Sequence, residues 1–451
     1  MESHLRCIMP SCDFKESIYK ELTECPKCGS LLDVVYSGQD AYSYKELFKC
    51  RRGDTEKIFN KSGVWRFREL LPFPLTHKNP EEIMVSLDGK EGQSSPFHLT
   101  EVARYVGMKS DNFYLQSEGE NPTGSFKDNG MAAAFTHAKM LNRDKVVCAS
   151  TGNTSASMAA FAANELGGIK AIIFIGSGKI SMGKLAQSLE YGAKVIQIKG
   201  DFDDAMDKVI KVAEKENLYI MNSINPFRLE GQKTMMYRLL EGLNWQVPDW
   251  VVCPGGNLGN SSAFGKAFFE LRALGLIDKM PRIAVINAKG ADTLYRLYNE
   301  EGVKWNNGQA DLGKIKKFYA QMDKENRRAS TIASAIEINR PVNLMKTLRA
   351  LEWTRGVVEE VSDQEMLDAK AIVGRNGFGC EPASAASVAG IKKLVEKGIV
   401  KPEETVVGIL TGHQLKDSKV TVEYHSNKEN KYANLPIEVE NSAEDIIRVL
   451  E

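Results

Sequence analysis

The sequence predicts an α/β protein of two open α/β domains facing each other across a cleft, with a small zinc-ribbon-like module at the N-terminus. Three observations carry this. From about Val85, short β-branched runs alternate with long amphipathic stretches, the pattern of parallel sheets with crossover helices. The chain has 451 residues, more than one hydrophobic core normally serves, so two or three domains are expected. Four of its eight cysteines fall within the first thirty residues.

Taken in order, Cys7 and Cys12 form a C-x4-C pair, and Cys25-Pro-Lys-Cys28 a second pair followed by Gly29. Thiolates on two such turns can close a tetrahedron around Zn2+, and a glycine after the second pair permits the tight backbone of a metal knuckle. Leu31 to Tyr36 reads as a flanking strand. The alternative is four thiols without a metal, since the first spacing is looser than the usual C-x2-C. Neither version makes the module catalytic.

The body then repeats strand, polar or glycine turn, helix. Strands are expected at 146–149, 171–175, 194–198, 218–221, 250–253, 282–286 and 405–409. Helices are expected at 129–141, after Ser155 through Glu165, from about Lys179, from about Asp203, near Glu230 and after Ser262. The Asn306-Asn-Gly turn and the charged run Lys314-Ile-Lys-Lys317 read as a surface insertion or mobile loop, and the tail after His425 as an exposed extension. No repeat of fixed period is present. Open α/β sheets place ligands beyond the carboxyl ends of their strands, so the turns are the candidate site.

Charge narrows the partners. Lys and Arg number 59 and Asp and Glu 59, so no overall field favours nucleic acid or an anionic membrane, and any bound anion must be met by a local cluster. No apolar signal core follows Met1, and no stretch approaches the roughly 18 apolar residues of a spanning helix. A cytoplasmic protein acting on a small molecule, with no nucleic-acid or membrane partner and a homodimeric assembly, is the expectation.

Three features carry chemistry. In Asn121-Pro-Thr-Gly-Ser-Phe-Lys-Asp128 a lysine stands at the mouth of a helix, where the positive end of the dipole disfavours its charge and partial burial beside Phe126 acts the same way, as a Schiff-base amine requires. Alone, Lys127 would more often be an ordinary surface lysine. Gly256-Asn-Leu-Gly-Asn260, between a strand and a helix, frees backbone amides to cradle a phosphate dianion, although many such turns only close a strand onto a helix. Thr411, at the end of a strand, can meet a neutral ring nitrogen without forcing a proton onto it. A lysine, a phosphate cradle and a neutral hydroxyl together describe a pyridoxal phosphate site.

The segments Ser125-Phe-Lys-Asp128, Ser150-Thr-Gly-Asn-Thr-Ser155, Asn222-Ser-Ile-Asn-Pro-Phe-Arg228, Gly256-Asn-Leu-Gly-Asn260 and Leu410-Thr-Gly-His-Gln-Leu-Lys-Asp417 resemble, in order, the motifs of the threonine synthase family. The resemblance runs from about Trp65 to His425 and implies a fold-type II, tryptophan synthase β-like pyridoxal phosphate enzyme. It implies Lys127 as the Schiff-base lysine, Asn153 on the cofactor's 3′-oxygen, Gly256, Asn257, Leu258, Gly259 and Asn260 around its phosphate, and Thr411 at the pyridine nitrogen. It further implies Thr154, Asn222, Ser223 and Arg228 as receivers of a substrate phosphate. Apart from the resemblance, the charges of Lys184 and Lys233 are expected to add positive field. The implied reaction turns O-phospho-L-homoserine and water into L-threonine and phosphate.

The domains expected are 1–40 for the ribbon, 41–105 with 229–451 for the large cofactor-binding domain, and 106–228 for the small one. The chain departs from the family's pattern at Glu91-Gly-Gln-Ser-Ser-Pro-Phe97, which has one extra residue, and at Asp128-Asn129-Gly130, where an arginine often follows the aspartate. Within the class the alternatives are a serine or threonine dehydratase and a β-replacing enzyme such as a cysteate synthase-like activity on phosphoserine. Outside it stands a non-catalytic protein whose ribbon recruits a partner.

Overall fold

The computed structural model describes residues 2–37, 43–73, 80–164, 168–176, 182–199, 212, 215–216 and 218–450. The helix expected from about Asp203 lies outside the described residues, as do the start of the one expected from Lys179 and the side chain of Lys184.

Thirteen strands among the described residues form three sheets. Strands β1 (Glu2–Cys7), β2 (Lys15–Ser17) and β3 (Leu32–Ser37) make an antiparallel sheet in the order β2-β1-β3. The large sheet is built of β4 (Pro96–Phe97), β5 (Phe113–Ser117), β10 (Trp250–Pro254), β11 (Arg282–Ala288), β12 (Val357–Val361) and β13 (Val406–Leu410). Its order is β12-β11-β10-β13-β5-β4, parallel except for β4. The smaller sheet takes β6 (Lys145–Ala149), β7 (Lys170–Gly176), β8 (Lys194–Ile198) and β9 (Tyr219–Ile220) in the parallel order β8-β7-β6-β9.

Strands in parallel sheets are covered on both faces, so their sequences run apolar without alternation. Val251, Val252 and Cys253 of β10 are all fully buried. Both sheets reverse their strand order once, at β10/β13 in the large sheet and at β6/β9 in the small one. Such reversal points open the crevices in which α/β folds hold ligands.

Helices follow the strands: α1 (Lys127–Met140), α2 (Asn153–Asn164), α3 (Met182–Glu190), α4 (Pro226–Gly242), α5 (Gly259–Ala273), α6 (Leu344–Trp353) and α7 (Pro382–Glu396) matter for the site. Three differences from the sequence expectation have physical causes. Helix α4 begins at Pro226, not near Glu230, because the Asn225 side chain accepts from the Phe227 amide and proline suits the first helical position. The supposed loop around Lys314 is a helix, Leu312–Lys324, capped by Asp311 and burying Ile315, Phe318 and Met322 along one face. Finally, β5 lies within the 106–228 segment yet pairs with β13 of the large sheet.

Candidate active site

The turns that follow β5, β6, β9, β10 and β13 converge. Lys127 opens α1, half-buried, with Nζ 4.1 Å from the Phe126 ring centroid. Its turn is fastened to the strand-end turn of Thr411 by paired backbone contacts: the Phe126 amide donates to the Thr411 carbonyl at 3.0 Å and the His413 amide to the Gly124 carbonyl at 2.9 Å. Asp128 anchors the same turn from below, accepting from the Thr123 amide at 2.9 Å and from the Thr123 and Ser157 hydroxyls at 2.6 Å. Burial pushes the Asp128 carboxyl above its ordinary range while those donors oppose the shift.

Asn153, the first residue of α2, is buried, and its amide nitrogen donates to both carboxylate oxygens of Glu381 at 3.0 and 3.1 Å. Glu381 caps α7, and its own amide donates to the Gly412 carbonyl at 2.9 Å. The Thr411 hydroxyl lies 3.0 Å from the Ser384 hydroxyl. Thus Lys127, Asn153 and Thr411 are drawn to one place by a shared set of turns.

The glycine turn after β10 forms the start of α5. Leu258 holds a left-handed φ of +63° there, a costly conformation for a branched side chain that clusters at functional turns. Asn343 secures it: its amide donates to the Asn257 carbonyl at 3.2 Å, and the Val342 amide reaches Asn257 Oδ1 at 2.8 Å. The Asn343 side-chain nitrogen also donates to the Ser223 carbonyl at 3.1 Å, so this residue bridges the turns after β9 and β10.

Arg228 sits in the first turn of α4, 1 % exposed, and burial pulls its guanidinium down to about 10. Nη1 donates to the Met221 carbonyl at 2.8 Å, while Nε and Nη2 have no hydrogen-bond partner among the described residues. Ser125 Oγ, Asn153 Oδ1, Ser223 Oγ, Asn260 Oδ1 and Asn343 Oδ1 are likewise buried and unmatched. Buried polar atoms are normally satisfied; of these orphans the two Arg228 nitrogens and the Ser125 and Ser223 hydroxyls can donate to an anionic ligand, whereas the three amide oxygens only accept. A phosphate-bearing ligand such as pyridoxal phosphate fits those four donors.

Not every expected residue presents its side chain to such a ligand. The Asn222 amide is engaged twice by the Ala149 backbone, at 3.1 and 3.0 Å, and ties β9 to the end of β6. Lys233 adds no field to the site: it is buried between Glu230 and Glu270, 2.6 Å from each. Thr154 stands half-buried in the first turn of α2. His413 accepts from the Leu415 amide at 3.2 Å as a turn residue, the bland role expected of it. Two residues carried no role in the sequence reading: Glu381, legible only as an acid before the Pro382 helix start, and Lys416, a buried lysine that donates to Gln187 of α3.

In the N-terminal module the four cysteine sulfurs lie within 4.8 Å of one another, with Cys7–Cys28 at 3.5 Å and Cys12–Cys25 at 3.7 Å. Thiolates about 2.3 Å from a tetrahedral zinc would stand about 3.8 Å apart, so the cluster fits that ion. Gly29 at φ +70° makes the tight turn after the second pair.

The fold and the site define a pyridoxal phosphate enzyme, and residues 89–412 match the family described as pyridoxal-phosphate dependent enzyme. The chain is 41 % identical to a threonine synthase of Methanocaldococcus jannaschii, over 88 % of this chain and 89 % of that one. It is 39 % identical to a threonine synthase of Methanosarcina acetivorans, over 93 % and 94 %. It is 33 % identical to the chloroplastic threonine synthase 2 of Arabidopsis thaliana, over 95 % and 81 %. The chain belongs to the threonine synthase family. Solved structures share the fold: processed threonine deaminase isoform 2 from Solanum lycopersicum has a TM-score of 0.57 at 18 % identity, covering 82 % of this chain and 94 % of that one. Maize serine racemase has a TM-score of 0.55 at 20 % identity, over 74 % and 94 %.

Proposed function

We propose that the chain converts O-phospho-L-homoserine and water to L-threonine and inorganic phosphate, with pyridoxal phosphate held by Lys127, Asn153, residues 256–260 and Thr411. The observation that carries the reading is Arg228, a buried guanidinium with two unmatched donors on a turn that Asn343 bridges to the glycine turn. One anion site serves the cofactor and a second receives a phosphate that departs.

The bound cofactor supplies an electron-withdrawing ring that makes the Cα and Cβ protons of the amino acid labile. Lys127 Nζ takes the Cα proton and then one from Cβ. The Cγ–oxygen bond breaks with its electron pair going to phosphate, which Arg228, Ser223 and Thr154 receive; a planar guanidinium suits this because it meets two oxygens at once. Cγ gains from Lys127 the proton taken from Cβ, the water oxygen bonds to Cβ as Lys127 takes its proton and returns it to Cα, and the departing phosphate ends with the proton first taken from Cα. Asn222 acts in this scheme by fixing the turn that carries Ser223, and Glu381 by fixing the amide of Asn153.

Cys7, Cys12, Cys25 and Cys28 hold one structural zinc. We place the α/β units at 41–105 with 229–451 and at 106–228, with β5 counted to the large unit. Among the described residues no helix is long and apolar enough to cross a membrane. A cytoplasmic location and a homodimeric assembly complete the proposal; light scattering of the purified protein tests the latter. Added pyridoxal phosphate is expected to give the purified chain a visible absorption band that Lys127→Ala lacks. A wild-type chain that stays colourless overturns the reading.

A further inference from the structure

Strand β3 of the cysteine module lies against the helices that rise from both anion-binding turns. Helix α6 is preceded at its N-cap by Asn343, which holds Asn257, and its Thr347 hydroxyl donates to the Leu258 carbonyl at 3.0 Å. The residue before it, Lys346, turns the other way and donates to the Leu32 carbonyl of β3 at 2.7 Å. Asp33 receives Arg349 at 2.5 Å and Lys346 at 3.1 Å. At the next residue, the Val34 carbonyl accepts from Lys266 of α5 at 2.6 Å, and α5 itself begins in the glycine turn. Lys266 also pairs with Glu230, two residues beyond Arg228 on α4. Leu32 is the antiparallel partner of Cys7, so the carbonyl held by Lys346 lies directly across the ladder from a member of the four-sulfur cluster.

These groups are buried, and a buried charge deprived of its partner is far more costly than one at the surface. The module is therefore welded to the back of the phosphate cradle by ions and carbonyls, not merely tethered to it. We propose that the cysteine module is a strut for the cofactor's phosphate, with Asp33 and Lys346 as positioning residues that transmit its fold, and hence its metal loading, to residues 256–260. This rests on the pyridoxal phosphate and zinc assignments made above. The strut's contacts run to α5, α6 and the Leu258 carbonyl, behind residues 256–260, so its influence falls on the phosphate end of the ligand. That separates it from a general loss of stability, which would weaken every part of the site alike.

The test uses the full-length chain freed of cofactor and titrated with pyridoxal phosphate and, separately, with pyridoxal, which has no phosphate, following the visible band at Lys127. In Lys346→Met, and in wild-type protein dialysed against a zinc chelator, the Kd for pyridoxal phosphate is expected to rise roughly tenfold while that for pyridoxal stays within about twofold. Returning zinc should restore the chelated protein but not Lys346→Met. If Lys346→Met fails to fold, Arg349→Lys and the chelated wild type carry the same comparison. A wild-type chain that binds zinc and pyridoxal phosphate but shows unchanged Kd in every arm, or equal weakening for both ligands, overturns the strut alone. A wild-type chain that binds neither overturns the cofactor and zinc assignments, and the strut with them.

Discussion

Arg228 donates one hydrogen bond to the Met221 carbonyl, at 2.8 Å, and keeps Nε and Nη2 unmatched in a buried setting. A guanidinium held by one corner, with its remaining edge unfilled, is arranged to take a bidentate anion. Replacing it with Gln is expected to lower kcat/KM for the phosphorylated substrate about a hundredfold, because a donor that meets charge as it develops is lost. The visible band with pyridoxal phosphate should persist. Unchanged kcat/KM would show that Arg228 is structural.

His137 offers a pH prediction. Its Nε2 lies 2.6 Å from the Ile18 carbonyl, which can only accept, so Nδ1 accepts from the Tyr219 hydroxyl, also at 2.6 Å, and the ring is neutral. Burial lowers its pKa to about 4, against about 6.5 in the unfolded chain. The unfolded state therefore binds more protons between these values, and stability falls as pH drops through that window, by about 3 kcal/mol at the bottom. Urea titrations at several pH values should show this slope in the wild type and a shallower one in His137→Gln. Equal slopes would mean that the ring titrates normally.

Metal analysis checks the ribbon. Protein purified without chelators should carry about one zinc per chain, by the four-ligand rule, and Cys25→Ser should carry none. Zinc absent from the wild type would leave the cluster as four thiols.

Asn225 links sequence to site more quietly. Its side chain accepts from the Phe227 amide and donates to the Ile220 carbonyl at 2.8 Å, setting where α4 begins and so where Arg228 points. Asn225→Ala is expected to cost about 1 to 2 kcal/mol in denaturant unfolding and to raise KM for the substrate. A stability loss with unmoved KM would confine its role to the cap.

Strands such as Trp250–Pro254 were legible because a continuous apolar run says buried parallel strand. The polar Tyr114, Gln116 and Ser117 hid β5, whose place is set by its neighbours in the sheet. The helix at Leu312–Lys324 was masked by its lysines, although its apolar residues recur at helical spacing. Motif residues around Lys127 and Thr411 were readable as chemistry. The partnership of Asn153 with Glu381, 228 positions apart, and the use of Asn222 on Ala149 were not, since nothing local specifies contacts made across the fold.

The central claim is tested most directly by giving the purified, cofactor-loaded chain O-phospho-L-homoserine, O-phospho-L-serine, L-serine and L-threonine separately and measuring amino-acid products and free phosphate. The expected result is threonine and phosphate in equal amounts from phosphohomoserine alone, abolished in Lys127→Ala. Consumption of only phosphoserine, serine or threonine, with no threonine formed from phosphohomoserine, would contradict it.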